Sequence, residues 1–177
     1  MSSFKLIKGS SVEQNVDAIV NAANRDLLGG GGVCGAIFRK AGYQDLTDAC
    51  SKIKTPLKDG EAAITPAFNI TNAKYIIHAV GPDFGLTPNA FKELYEAYYN
   101  SLVLLKENNL HSISFPLISP GIFGYGLSNP VAESTKQCVR AYNKFIEDYK
   151  DYDVDVILCV FKEYEYPEAE AIVKENM

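Results

Sequence analysis

The chain has 177 residues, 47% of them hydrophobic, with 17 Lys and Arg against 22 Asp and Glu for a net charge of -5. That is the make-up of one ordinary globular domain over residues 1–177, and it argues against unspecific nucleic-acid or membrane-surface binding, which needs a basic face. No apolar run reaches the roughly 20 residues of a membrane span and the start MSSFKLIKGSS lacks a secretory apolar region, so a cytoplasmic protein is expected; separately, a monomer is expected.

Phe4 to Ile7 reads as a first strand, ended by Gly9, Ser10 and Ser11, and Ala18 to Val20 as a second. Asn21 and Asn24 then bracket two alanines, four glycines follow from Gly29 to Gly32, and Val33 to Ala41 predicts a short helix closed by Gly42. Gln44 to Ile53 predicts a second helical piece, ended by Thr55-Pro56 and Asp59-Gly60. Glu61 to Thr65 and Tyr75 to Val80 are two further strands with a turn around Asn69 to Asn72 between them. Thr87 as N-cap and Pro88 at the first helical position predict the next helix, along which Phe91, Leu94, Tyr95, Tyr98, Leu102 and Leu105 recur on one face. Its tyrosines are read as packing. Ser112 to Pro116 is a strand, Asn129 and Pro130 start a helix with Val131, Thr135, Cys138, Tyr142 and Phe145 on one face, Val154 to Phe161 is the last strand, and Pro167 opens a terminal helix. This alternation implies an α/β layered domain with a mixed sheet.

Two loops, each after a strand and before a helix, carry the chemistry. Glycines at 29–32 let the backbone approach a ligand closely, and free N–H groups at the following helix start favour phosphate oxygens, with the carboxamides of Asn21 and Asn24 placed to orient hydroxyls or the loop itself. The second loop runs from Leu117 through Ser119 and Gly121 to Gly126. In a mainly parallel sheet both emerge at the carboxyl edge, where they can clasp a pyrophosphate. A glycine run is also compatible with a plain flexible turn, and neither the P-loop nor the dinucleotide fingerprint is present. No cofactor and no metal are expected, because Cys34, Cys50, Cys138 and Cys159 lack metal-binding spacing and read as free thiols. His78 and His111 read as structural histidines, and Asp17 as a surface residue.

The motifs NAANRDLLGGGGVCGAIFRKAG, GEAAITPAFN with AKYIIHAVGP, and FPLISPGIFGYG, in that order, resemble a macro domain of the MacroD-like kind over nearly the whole chain. The resemblance implies a three-layer α/β/α fold with a central six-stranded mixed sheet and a cleft for ADP-ribose or ADP-ribosylated protein. It sets Asn24 against the distal ribose, Gly30, Gly31, Gly32 and Val33 around that ribose and the pyrophosphate, and Ser119, Gly121, Ile122, Phe123 and Gly124 in the second phosphate loop. Phe161 matches the aromatic that packs on adenine, and Ser10, Ser11 and Ala22 complete the expected ligand contacts.

Two departures from the family pattern stand out. Where the family has Gly-Asp-Ile-Thr, this chain has Gly9-Ser10-Ser11-Val12, so the carboxylate that accepts from the adenine amino group is replaced by a neutral hydroxyl, weaker by roughly 1 kcal/mol. Where MacroD-like hydrolases have an aspartate and, four residues later, a histidine, this chain has Cys34 and Phe38. Some viral relatives with Cys or Ala there still remove ADP-ribose from acidic side chains, which is explained by a ligand phosphate and the asparagine matching Asn24 positioning the water. Hydrolysis at the distal ribose is therefore the expectation, with a non-catalytic reader as the alternative. Cys34, at a helix start, is read as a space-filling residue, with a nucleophilic thiol as the alternative: such a position lowers a thiol pKa, but a bound pyrophosphate raises it again and no His is near in sequence.

Overall fold

Strands β1 (Ser3–Lys8), β2 (Ala18–Ala23), β3 (Ala62–Pro66), β4 (Tyr75–Val80), β5 (Ser112–Pro116) and β6 (Asp155–Val160) form one sheet in the order β1-β6-β5-β2-β4-β3. The structure is a computed structural model that describes residues 1–87, 90–119 and 129–177. β3 runs antiparallel to β4 and every other neighbouring pair is parallel. Helices α1 (Gly32–Ala41) and α2 (Tyr43–Ser51) cover one face; α3 (Phe91–Glu107), α4 (Pro130–Asp148) and α5 (Tyr166–Asn176) cover the other. This is the expected three-layer α/β/α arrangement around a six-stranded mixed sheet.

The layers follow from the two-residue period of the strands. In β2, Ala18 and Val20 join Leu94, Tyr98, Leu102 and Phe145 of the α3/α4 face, while Ile19 and Ala23 join Ile37, Phe38 and Leu46 of the α1/α2 face. A strand buried on both sides is largely apolar, as parallel strands under helices are, and a polar residue within it such as Asn21 has to find its partner inside the sheet. The helical faces predicted for α3 and α4 are the ones that pack inward: Leu94, Tyr98, Leu102 and Leu105 on one, and Val131, Thr135, Cys138, Tyr142 and Phe145 on the other, are all buried.

Three expectations need correction. β2 does not stop at Val20 but continues through Asn21 to Ala23, because Asn21 is paired opposite His78 of β4 and its amide donates to His78 Nδ1 at 3.0 Å. α3 starts at Phe91 with Ala90 as its cap; Thr87 instead closes a turn, its N–H donating to the Asp83 carbonyl at 2.7 Å, and Pro88 lies outside the described residues. Asp17 is half-buried, its carboxylate accepting from the backbone N–H groups of His111 and Ser112 at 2.8 and 3.2 Å. It anchors the start of β5 to the start of β2.

His78 is wholly buried, and its Nε2 is 2.9 Å from Thr65 Oγ1. With Nδ1 accepting from Asn21, Nε2 carries the proton and donates to Thr65, so the ring is neutral and matched on both sides. Burial lowers its pKa from 6.5 to about 4. The unfolded chain therefore takes up this proton first on acidification, and the stabilisation is full above pH 6.5 and lost as pH falls toward 4. Between pH 7 and pH 5 the fold is expected to lose about 2 kcal/mol from this group. Denaturant midpoints at the two pH values check this, and a His78→Gln variant is expected to show a flatter dependence.

Candidate functional site

The ladder between β2 and β5 consists of two pairs, Ala18↔Ile113 and Ile19↔Ser114, although β2 runs on to Ala23 and β5 to Pro116. From their carboxyl ends the chain departs to opposite faces, into α1 on one side and α4 on the other. Such a reversal leaves a crevice, the place where open α/β sheets hold their ligands. A cavity of about 460 Å³ opens at this edge. One wall is the segment after β1 (Gly9, Ser10, Ser11 and Val12), and the second is the start of α1 (Gly32, Val33 and Ala36). The ends of β5 and β6 supply Pro116, Leu117, Cys159 and Phe161, and the connection beyond β6 adds Lys162 and Glu165.

The first wall is held in place from several directions. Gly9 N–H donates to the Val160 carbonyl at 3.0 Å, Asn72 donates to the carbonyls of Val12 and Gln14 at 2.8 and 2.7 Å, and Ser114 of β5 donates to the Ser11 carbonyl at 2.7 Å. Ser10 caps the short 3-10 turn of Ser11–Glu13, its hydroxyl oxygen accepting from Val12 N–H at 3.3 Å. Its side chain is thus committed to the backbone, and Ser11 is buried.

The glycine loop has a different logic. Asn24 forms a closed pair of bonds with one residue, donating to the Leu28 carbonyl at 2.8 Å and accepting from Leu28 N–H at 2.9 Å. That ring sets the direction in which the loop leaves β2, and the carboxamide keeps one further donor and one further acceptor position free. Leu27 enters the core with φ of 55°, and Gly32 turns the chain into α1 with φ of 57°. No side chain caps α1 after its N-cap Gly31. Its first N–H groups, with Gly32 and Val33 on the cavity wall, are therefore presented to the cleft, where the helix dipole favours an anion. Gly35 lets this happen, because a Cβ there would overlap the Gly30 carbonyl oxygen.

Cys34 is buried beneath the loop, with its thiol donating to the Leu28 carbonyl at 3.5 Å. Burial raises its pKa, a change only partly offset by the Asn21 carboxamide and the Gly30 backbone. Desolvation thus outweighs these two hydrogen bonds, and the thiol is protonated at neutral pH. Phe38 is wholly buried between α1 and the sheet and in contact with Tyr43, ring centroids 5.4 Å apart.

At the root of the second loop, Ile118 N–H donates to Tyr98 Oη at 2.8 Å and Tyr98 meets Ser134 Oγ at 2.6 Å. Ser119 has φ of 60° and donates to the Pro82 carbonyl at 2.8 Å. Gly121, Ile122, Phe123 and Gly124 lie outside the described residues.

Of the residues expected to touch ligand, Ser10, Ser11, Gly32, Val33 and Phe161 line one cavity. Ala22, in β2 opposite Ala79, together with Asn24, Gly30, Gly31 and Ser119, sits outside its lining. Lys162 and Glu165 were not anticipated. The available signal was their position just past the last strand, at the same carboxyl edge as the glycine loops. Among the described residues no helix is long and apolar enough to cross a membrane.

The Macro domain family model matches residues 20–138. The chain is 43% identical over 162 residues to ADP-ribose glycohydrolase MACROD1 of Mus musculus, covering 90% of this chain and 48% of that protein. It is 44% identical over 152 residues to the O-acetyl-ADP-ribose deacetylase of Salmonella typhimurium, covering 84% of this chain and 82% of that one. The chain thus spans about half the length of the mouse relative. Among solved structures, the Oceanobacillus iheyensis macrodomain with ADP superposes with a TM-score of 0.86 at 34% identity, over 96% of this chain and 89% of that chain. The Trypanosoma brucei macrodomain in complex with ADP-ribose gives 0.84 at 32% identity, over 96% and 68%.

Proposed function

This chain belongs to the macro domain family, and on that premise we propose that it is a single macro domain that binds ADP-ribose and hydrolyses a bond at the distal ribose. The substrate is protein mono-ADP-ribosylated on acidic side chains, or O-acetyl-ADP-ribose. The observation that carries this reading is a cleft at the carboxyl ends of β1, β5 and β6, which joins an uncapped helix start to an aromatic just past β6. Phosphates need backbone N–H groups, the base needs an apolar face, and the hydroxyls need a carboxamide. The names of the mouse and Salmonella relatives support the reaction class. The protein acts as a cytoplasmic monomer in this reading.

Phosphates lie on the N–H groups around Gly30, Gly31, Gly32 and Val33 and on the Ser119 loop, and adenine packs on Phe161. Catalysis without an aspartate at Cys34 relies on orientation: a phosphate oxygen and the Asn24 carboxamide hold the water in line with the distal ribose carbon. Placement of this kind accounts for a large share of many enzymatic rate enhancements.

A second reading is a reader that binds without cleaving, favoured by Cys34 being buried and protonated and by Phe38 filling the core in place of a histidine. Calorimetric titration with ADP-ribose, followed by incubation with protein mono-ADP-ribosylated on glutamate, separates the two. Binding with release of ADP-ribose supports hydrolysis, and binding with no product after prolonged incubation supports the reader. Cys34→Ser is expected to keep turnover within about twofold, since a protonated thiol supplies no nucleophile. A loss of a hundredfold or more in that assay would return the thiol to the mechanism.

A further inference from the structure

Ser10 leaves the adenine end of the cleft without the family's carboxylate, and the opposite wall carries one. Among the described residues lining the cavity, Glu165 is the only acid. It is half-buried, and the polar groups acting on its carboxylate are those of near neighbours in sequence, the backbone and ammonium of Lys162 and the carboxylate of Glu168. Ser10, by contrast, is committed as a cap to Val12 N–H, and a hydroxyl carries no charge to offer an amino group. On the proposed reading that this cleft holds ADP-ribose, we infer that Glu165 is the specificity residue for the base, accepting a hydrogen bond from the exocyclic amino group of adenine.

The carrier of Glu165 is rigid. It ends the 3-10 turn of Glu163–Glu165, its N–H donates to the Lys162 carbonyl at 3.0 Å, and α5 follows at once, packed against α4 and β1. Lys8, the last residue of β1, reaches Glu163 at 3.5 Å and lies over the Tyr166 ring at 5.5 Å from its centroid. The turn bearing Glu165 is thereby tied to the strand that delivers Ser10, so the two walls keep their separation. Phe161, the proposed platform for the base, lies four residues before Glu165 on the same cavity wall. Desolvation is the main influence on the Glu165 carboxyl and raises its pKa, with Lys162 opposing and Glu168 adding to the rise. A group so placed gains more from a neutral amino donor than a fully hydrated one would.

The chemistry discriminates between purines. Adenine presents a donor at its six position and hypoxanthine a carbonyl acceptor, which a carboxylate repels and Lys162 would attract. Titration of the protein with ADP-ribose and with its hypoxanthine analogue, inosine diphosphate ribose, is the test. The expected result is a preference for ADP-ribose of about tenfold, falling to within about twofold in Glu165→Gln, whose amide can face either base, and persisting in Ser10→Ala. Thermal melting of the unliganded Glu165→Gln variant is expected to stay close to that of the parent, because an amide oxygen can still accept from the Lys162 backbone. If Glu165→Gln keeps the full preference, or if the parent binds both analogues equally, the inference is overturned while the ADP-ribose reading stands. If the parent binds neither, that reading fails and the inference falls with it.

Discussion

Asn24→Ala is expected to lower the rate of ADP-ribose release by about tenfold or more while the protein stays folded. Two separate effects of the substitution lead there. The carboxamide loses its remaining donor and acceptor positions toward the distal ribose and water, and the ring closed with Leu28 opens. The ring consists of two partly exposed hydrogen bonds, so its loss costs stability on the order of 1–2 kcal/mol and leaves the two apolar clusters untouched. The large effect is therefore on turnover. Single-turnover release from protein modified on glutamate measures it, alongside circular dichroism and calorimetric affinity for ADP-ribose. A variant with unchanged rate would remove Asn24 from the mechanism, and a variant that fails to bind would place its role in the loop and not in the chemical step.

Gly35→Ala is expected to reverse the sign that helix propensity alone would give. Alanine is favoured over glycine inside a helix by about 1 kcal/mol. Here, however, the new Cβ would overlap the carbonyl oxygen of Gly30 and come within 3.0 Å of the Arg39 guanidinium. Arg39 is a flexible side chain and can move. Gly30 is backbone of the glycine loop and cannot move without dragging the N–H groups at the head of α1. Overpacking of this kind costs about 1–3 kcal/mol, so a net loss of stability is expected together with at least a tenfold loss of ADP-ribose affinity. Gly30→Ala is the control for stability, since a Cβ there meets nothing within 4 Å. Melting temperatures of the two variants, followed by titration, decide the matter. Equal melting temperatures would mean that the loop relaxes without cost.

Local pattern determined most of the architecture. Strands two residues in period, helices with one apolar face and a proline at the start of α4 and α5 are properties of consecutive residues, and the elements fall where they predict within a few residues. The glycine run and the two asparagines were equally visible, because backbone approach and helix-start N–H groups need only neighbours in sequence. What the sequence left open depends on partners far along the chain. Asn21 belongs to a strand because His78 pairs with it across 57 residues, and Asp17 points to β5 because its partners lie 94 and 95 residues away. α3 starts late because Asp83 takes Thr87 into a turn. The protonation of Cys34 was decided by burial under the loop, a tertiary fact that no run of consecutive residues displays. Glu165 enters the cleft because parallel pairing of β1 and β6 brings the segments after both strands to one edge of the sheet. Short-range periodicity thus encoded the layers and the loops, and long-range pairing chose which charged groups face the ligand, because desolvation and strand register arise only once distant segments meet.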